Sequence, residues 1–155
     1  MKYRLLTKEE LQGFEKEFIE YLILNGITAE DWEIMKKDAV EKAEEVVKLF
    51  SDVVFEGILR KINFLEYRSK SSIITYQCLA DKIVAVGMKA SSIKEVDFLS
   101  KSYLKEALKN PPKGLKVYTT SKKYTKAREL ELFEMTQTGC EITDGKLFKT
   151  LCLFL

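Results

Sequence analysis

Histidine is absent from this 155-residue chain, proline occurs twice, cysteine three times and glycine seven times. Each shortage excludes something. Without histidine no Ser-His-Asp or Cys-His nucleophile can be built within the chain, and every zinc site that needs an imidazole is closed to it. General base chemistry would fall to Asp, Glu, Lys or Tyr, and nothing groups these into a recognisable pair. Neither GxGxxG nor GxxxxGK[ST] is present, so the usual glycine-rich phosphate cradles are missing. Cys78, Cys140 and Cys152 are odd in number and far apart with no CxxC, which argues against a disulfide framework and predicts three buried reduced thiols. No apolar run approaches the roughly 20 residues of a membrane span. The first residues, Met1-Lys2-Tyr3-Arg4, meet charge at once, so no signal peptide is expected and the expected compartment is the cytoplasm. No cofactor, metal or membrane partner is implied.

What is present is ordinary globular material: 46% hydrophobic and 32% charged residues, with nine Phe, seven Tyr and Trp32 to fill a core. That composition and length predict one domain over 1–155, helical over 1–61, a β-meander over 62–90, and mixed but mainly helical over 97–155. The expected class is α+β: N-terminal helices, a central antiparallel sheet of three or four strands, and C-terminal helices.

The helical half reads clearly. Thr7-Lys8-Glu9-Glu10 has the form of a capping box, and Leu11, Phe14, Phe18 and Leu22 recur at helical spacing until Asn25-Gly26. Thr28 to Asp31 opens a short helix carrying Trp32 and Met35. Ala43, Val47, Phe50, Val54 and Ile58 stripe a stretch from about Ala39 to Lys61. Ser51-Asp52 could cap a second helix there, so one helix and two both remain open.

The period then changes. Residues 62–67 read as strand, as do the alternating runs Ile74, Tyr76, Cys78 and Val84, Val86, Met88, with Ala80-Asp81 as the turn between them. Helical spacing returns after Asp97 and stops at Asn110-Pro111-Pro112. Leu115 to Thr119 suggests an edge strand. Ser121 is expected to cap a helix from about Lys122 to Thr138, closed by Gly139. A last helical segment, from Gly145 to Leu155, ends in an apolar run that should be docked on this domain or on a second copy.

Charge is unevenly placed. Residues 1–66 hold 10 basic and 15 acidic side chains, whereas residues 67–155 hold 16 and 9. Between 101 and 128 nine basic residues accompany one acid, Glu106. Lys101, Lys105 and Lys109 share a helix face by their spacing, Lys113 and Lys116 follow, and Lys122, Lys123, Lys126 and Arg128 surround Tyr124. Lysines at the start of a helix oppose its dipole unless an anion offsets them. These ten residues are therefore the candidate binding patch for a polyanion or phosphate-bearing partner, with Tyr103, Tyr118 and Tyr124 available to stack on bases. Against specific recognition, lysine dominates where arginine gives bidentate phosphate contacts. A solvated basic face explains the same pattern. So does pairing of the acidic half of one copy with the basic half of another.

Met1 to Leu11, Asn25-Gly26-Ile27-Thr28, Asp31-Trp32, Leu49 to Glu56 and Tyr124 to Phe133 together resemble a family of small conserved hypothetical proteins from Bacteroidetes-type bacteria, a domain of unknown function. The blocks run in order through nearly the whole chain. The resemblance implies a bacterial, cytoplasmic, uncharacterised protein and supplies no site residues.

Three functions are weighed on this basis. The favoured one is a non-catalytic binding or regulatory module acting through protein contacts, with a homodimer among the possible partners. The alternative is a nucleic-acid or phosphate-ligand binder using 101–128. The lesser alternative is an enzyme using carboxylates or Lys.

Overall fold

Two reciprocal caps set the first helices in place. The Thr7 hydroxyl accepts from the Glu10 amide at 3.1 Å while the Glu10 carboxylate accepts from the Thr7 amide at 2.9 Å, and Thr28 and Asp31 repeat the exchange. Such boxes satisfy amides that a helix start otherwise leaves orphaned. The computed structural model describes residues 1–90 and 95–155, and these gather into two units, Met1–Arg60 and Lys61–Leu155.

The first unit holds four helices: α1 (Lys8–Gly13), α2 (Glu15–Leu24), α3 (Ala29–Asp38) and α4 (Val40–Lys61), the last running one residue past it. The single helix expected from Thr7 to Leu22 is broken at Phe14, whose φ of −108° and ψ of 23° are not helical. The break leaves the apolar spacing intact, so periodicity did not show it. Residues 40–61 form one helix of roughly 33 Å. Ser51 does not cap a second one. Its hydroxyl donates to the Val47 carbonyl at 2.7 Å, one turn back, and accepts from the Leu6 amide at 3.1 Å. Asp52 takes the Lys2 and Tyr3 amides at 2.7 and 2.9 Å. The core of this unit is Leu6, Phe18, Leu22 and Phe50, with Trp32 edge-on to Phe18 at 5.2 Å.

The second unit is built on a five-stranded antiparallel sheet. Its elements are β1 (Phe64–Arg68), β2 (Ser72–Cys78), β3 (Lys82–Lys89), α5 (Lys101–Lys109), β4 (Lys116–Lys123), α6 (Arg128–Gln137), β5 (Glu141–Thr143) and α7 (Lys146–Cys152), with strand order β4-β3-β2-β1-β5. The α+β class is as expected; the fifth strand, β5, is additional. It is three residues long and pairs with β1, too short for alternation to reveal it.

The register sorts the side chains by face. Ile73, Thr75, Val84, Val86, Met88 and Val117 share one face. Leu104 and Ala107 of α5 and Phe148 and Leu151 of α7 join Ile73, Val86 and Met88 in one buried cluster on it. Full burial of such side chains contributes about 1.5–3 kcal/mol each before entropy is subtracted. The C-terminal run is docked only in part: Leu151 is fully buried, but Leu153 to Leu155 are exposed. Of the three thiols expected to be buried, Cys78 is, Cys140 is half-buried and Cys152 is exposed. No helix among the described residues is long and apolar enough to cross a membrane.

Candidate functional site

The largest departure from the sequence expectation falls within the basic segment. Ser121 caps no helix. It lies in β4, which pairs residue for residue with all of β3, from Lys116 opposite Lys89 to Lys123 opposite Lys82. The edge of β3 needed a partner, and tertiary pairing overrode the local cap signal. Helix α6 begins later, at Arg128, with Glu129 and Glu131 in its first turn. Its dipole is therefore met by acids, and the opposition expected from Lys122 and Lys123 does not arise.

The ten candidate residues are spread over both faces of the sheet rather than gathered on one. Lys101, Lys105 and Lys109 are exposed along α5, which packs on the Val86 face. Lys113 lies in the connection before Lys116, the first residue of β4. Lys122 and Lys123, adjacent in a strand, point to opposite faces. On the face opposite Val86, Lys122 pairs with the buried Glu131, and Lys126 pairs with Glu134 at 2.7 Å. Arg128 is a structural tie: its guanidinium donates to the carbonyls of Leu79 and Cys78, both at 3.1 Å, and to that of Ile62.

The tyrosines are similarly committed. Tyr124 donates its hydroxyl to the Leu79 carbonyl at 2.7 Å, and burial raises its phenol. Tyr103 packs 5.9 Å from Phe98 in the core. Glu131 is tuned by its surroundings. Burial alone would raise its carboxyl, but Lys122 and the Thr125 amide, donating at 3.0 Å, hold it below the usual range.

What the structure adds is an edge. No described strand pairs with the outer side of β4, and six of its last seven residues are exposed, Val117 being the half-buried exception. Both ends of the β3–β4 ladder set lysine against lysine, Lys89 with Lys116 and Lys82 with Lys123. Like charges directly opposite are destabilising. Beside the edge, on the face that carries Lys122, lies a cavity of about 380 Å³ lined by Tyr76, Ile83, Ala85, Thr120, Lys122 and Met135 among others. Burial pushes the Tyr76 phenol up to about 12, so it stays a neutral wall. Of these residues only Lys122 was a candidate in the sequence; Lys82, Lys89 and the rest of the groove were not, because only the register places them along β4. Among the described residues no group of three or more His, Cys, Asp or Glu is arranged to hold a metal ion.

The structure is that of an α+β protein with a five-stranded antiparallel sheet, the outer side of whose β4 no described strand covers. The chain belongs to the family described as "Family of unknown function (DUF6495)", whose model matches residues 1–155. No curated protein matches it, and no solved structure does.

Proposed function

We propose that this chain is a non-catalytic binding module that takes an extended acidic segment of another protein onto the outer edge of β4. The observation that carries the reading is the two like-charge register pairs, Lys82–Lys123 and Lys89–Lys116, at the ends of an eight-residue strand whose outer side no described strand pairs. An added strand satisfies alternate backbone groups, as in β-augmentation generally. Acidic side chains on that strand would offset both lysine pairs. The cavity beside Thr120 and Lys122 suits an apolar side chain of the guest.

Charge also argues against a second copy as the occupant. Antiparallel pairing of two β4 strands about their midpoint would set Lys116 against Lys123 at both ends. Lysines on edges are a recognised guard against such pairing. The odd number of cysteines supports a reducing compartment such as the cytoplasm for this module.

Because Lys116 and Lys123 face opposite sides of the sheet, the test is fluorescence anisotropy with a labelled eight-residue peptide carrying Glu at its first and last positions and Val and Thr alternating between them, the same peptide N-methylated at alternate residues, and a single-stranded oligonucleotide. The expected result is binding of the first peptide. Methylation, which removes ladder hydrogen bonds without altering charge, should weaken it at least about tenfold, as should the Lys116→Glu/Lys123→Glu variant. Equal binding of the methylated peptide, tighter binding of the oligonucleotide, dimerisation through β4, or no binding at low salt would each overturn the reading.

A further inference from the structure

A second cavity, of about 310 Å³, lies at the other side of the same sheet, lined by Glu66, Arg68, Leu99, Lys101, Gly139 and Glu141. Its volume sits at the lower end of the roughly 300–1,000 Å³ typical of small-ligand pockets. The sheet builds one wall. Glu66 and Arg68 are two apart on β1, so they share a face, and the Arg68 guanidinium pairs with the Glu66 carboxylate. Glu66 is 7% exposed. Directly across the β1–β5 ladder from it stands Glu141. Two carboxylates opposite one another destabilise a ladder unless a cation lies between or beside them.

Arg68 supplies that cation for Glu66. No ion pair joins Glu141 to another described residue, and none joins Lys101, the first residue of α5. The cavity thus holds one internally paired acid and base, plus one acid and one base left over. A ligand with a single charge would leave one of these two unanswered. A ligand carrying both charges would answer both.

We infer that this cavity binds a small zwitterion of the size of a free α-amino acid. Its ammonium group lies toward Glu141 and Glu66, its carboxylate toward Lys101 and Arg68, and its side chain against Leu99. Charge-assisted hydrogen bonds of this kind are stronger than neutral ones. The inference is independent of peptide addition at β4, which uses the opposite edge of the sheet.

Isothermal titration of the full chain with each free proteinogenic amino acid tests it, with propylamine and propionate as single-charge probes. At least one amino acid should bind, and both single-charge probes should bind at least about tenfold more weakly. Glu141→Gln and Lys101→Met, both exposed positions, should each weaken the amino acid at least about tenfold while leaving thermal stability unchanged. Lys116→Glu/Lys123→Glu should leave it unaffected. No heat from any amino acid at millimolar concentration would overturn the inference. So would single-charge probes that bind as tightly, or variants that bind as wild type does.

Discussion

The phenol ring of Tyr118 lies across Gly87, its partner in the β3–β4 register, so closely that a Cβ on that glycine would overlap the ring. Gly87 is buried and Tyr118 is partly exposed. The glycine is there to give the ring room, since its φ is not in the left-handed region. Gly87→Ala should swing the exposed Tyr118 ring outward and cost at most about 1 kcal/mol in urea unfolding, since only the far end of a side chain has to move. In a Tyr118→Ala background the same change should cost much less. Equal costs in the two backgrounds would show that the ring is not the obstacle.

Arg128 belongs to the basic segment by sequence and to the framework by contact. Its side chain is 15% exposed and serves the carbonyls of Ile62, between α4 and β1, and of Cys78 and Leu79, where β2 ends. Arg128→Met should strand those carbonyls and destabilise the fold by about 2–4 kcal/mol. Arg128→Lys should recover only part, because an ammonium lacks the planar fork of donors. Chemical denaturation of the two variants checks this. Lys105→Met and Lys109→Met, on the exposed face of α5, should change stability by less than about 0.5 kcal/mol.

Glu131 links pH to stability. Its carboxyl is held below its unfolded value in the folded state, so the folded state favours the ionised form. The associated stability is present above the unfolded carboxyl pKa and is lost as pH falls through the folded one. Lys122 is largely exposed, which screens the pair, so about 1 kcal/mol is a fair ceiling. Glu131→Gln should therefore lower the urea midpoint at pH 7 and converge on wild type in strong acid. A difference that grew on acidification would contradict the assigned sign.

Glu10 makes the same point at the other end of the chain. Arg4 donates to both of its oxygens, at 2.8 and 3.0 Å, and with the Thr7 amide it brings the carboxyl down to about 2. Its contribution should persist from neutral pH through the ordinary carboxylate range and vanish only toward pH 2. Carboxyl resonances followed by NMR titration would give this directly.

Thiol labelling should separate the three cysteines. Cys152 is exposed and should react at once with an aromatic disulfide reagent. Cys140, half-buried, should follow slowly. Cys78 is buried, and burial pushes its thiol up to about 11, so it should react only as the chain unfolds.

What the sequence made legible follows the range of the interactions involved. The Thr7–Glu10 capping box lies within four residues and was readable as such; so were the helix start at Thr28, the alternating runs of β2 and β3 and the stop at Asn110-Pro111-Pro112. The errors lie where a distant partner decides. Ser121-Lys122-Lys123 looks locally like the mouth of a helix, yet eight consecutive pairings with β3 outweigh that preference. The choice between one helix and two at Ser51-Asp52, left open by the sequence, falls to one helix, with the Ser51 hydroxyl engaged by Val47 and Leu6. The even spacing of Lys101, Lys105 and Lys109 was sound, but no local rule could place Lys122 and Arg128 on the other side of the sheet. The cavity formed by Glu66, Arg68, Lys101 and Glu141 draws on three segments of the chain, and none of them carries a motif.

The two borders of the sheet are unequal. Only three residues of β5 line one, whereas β4 offers eight along the other. A sheet with two similar open borders can join head to tail without limit, and a mutation that makes it do so risks fibres. Here a guest strand has one long border to occupy. The expected stoichiometry is one peptide per chain, and the complex should stop growing there.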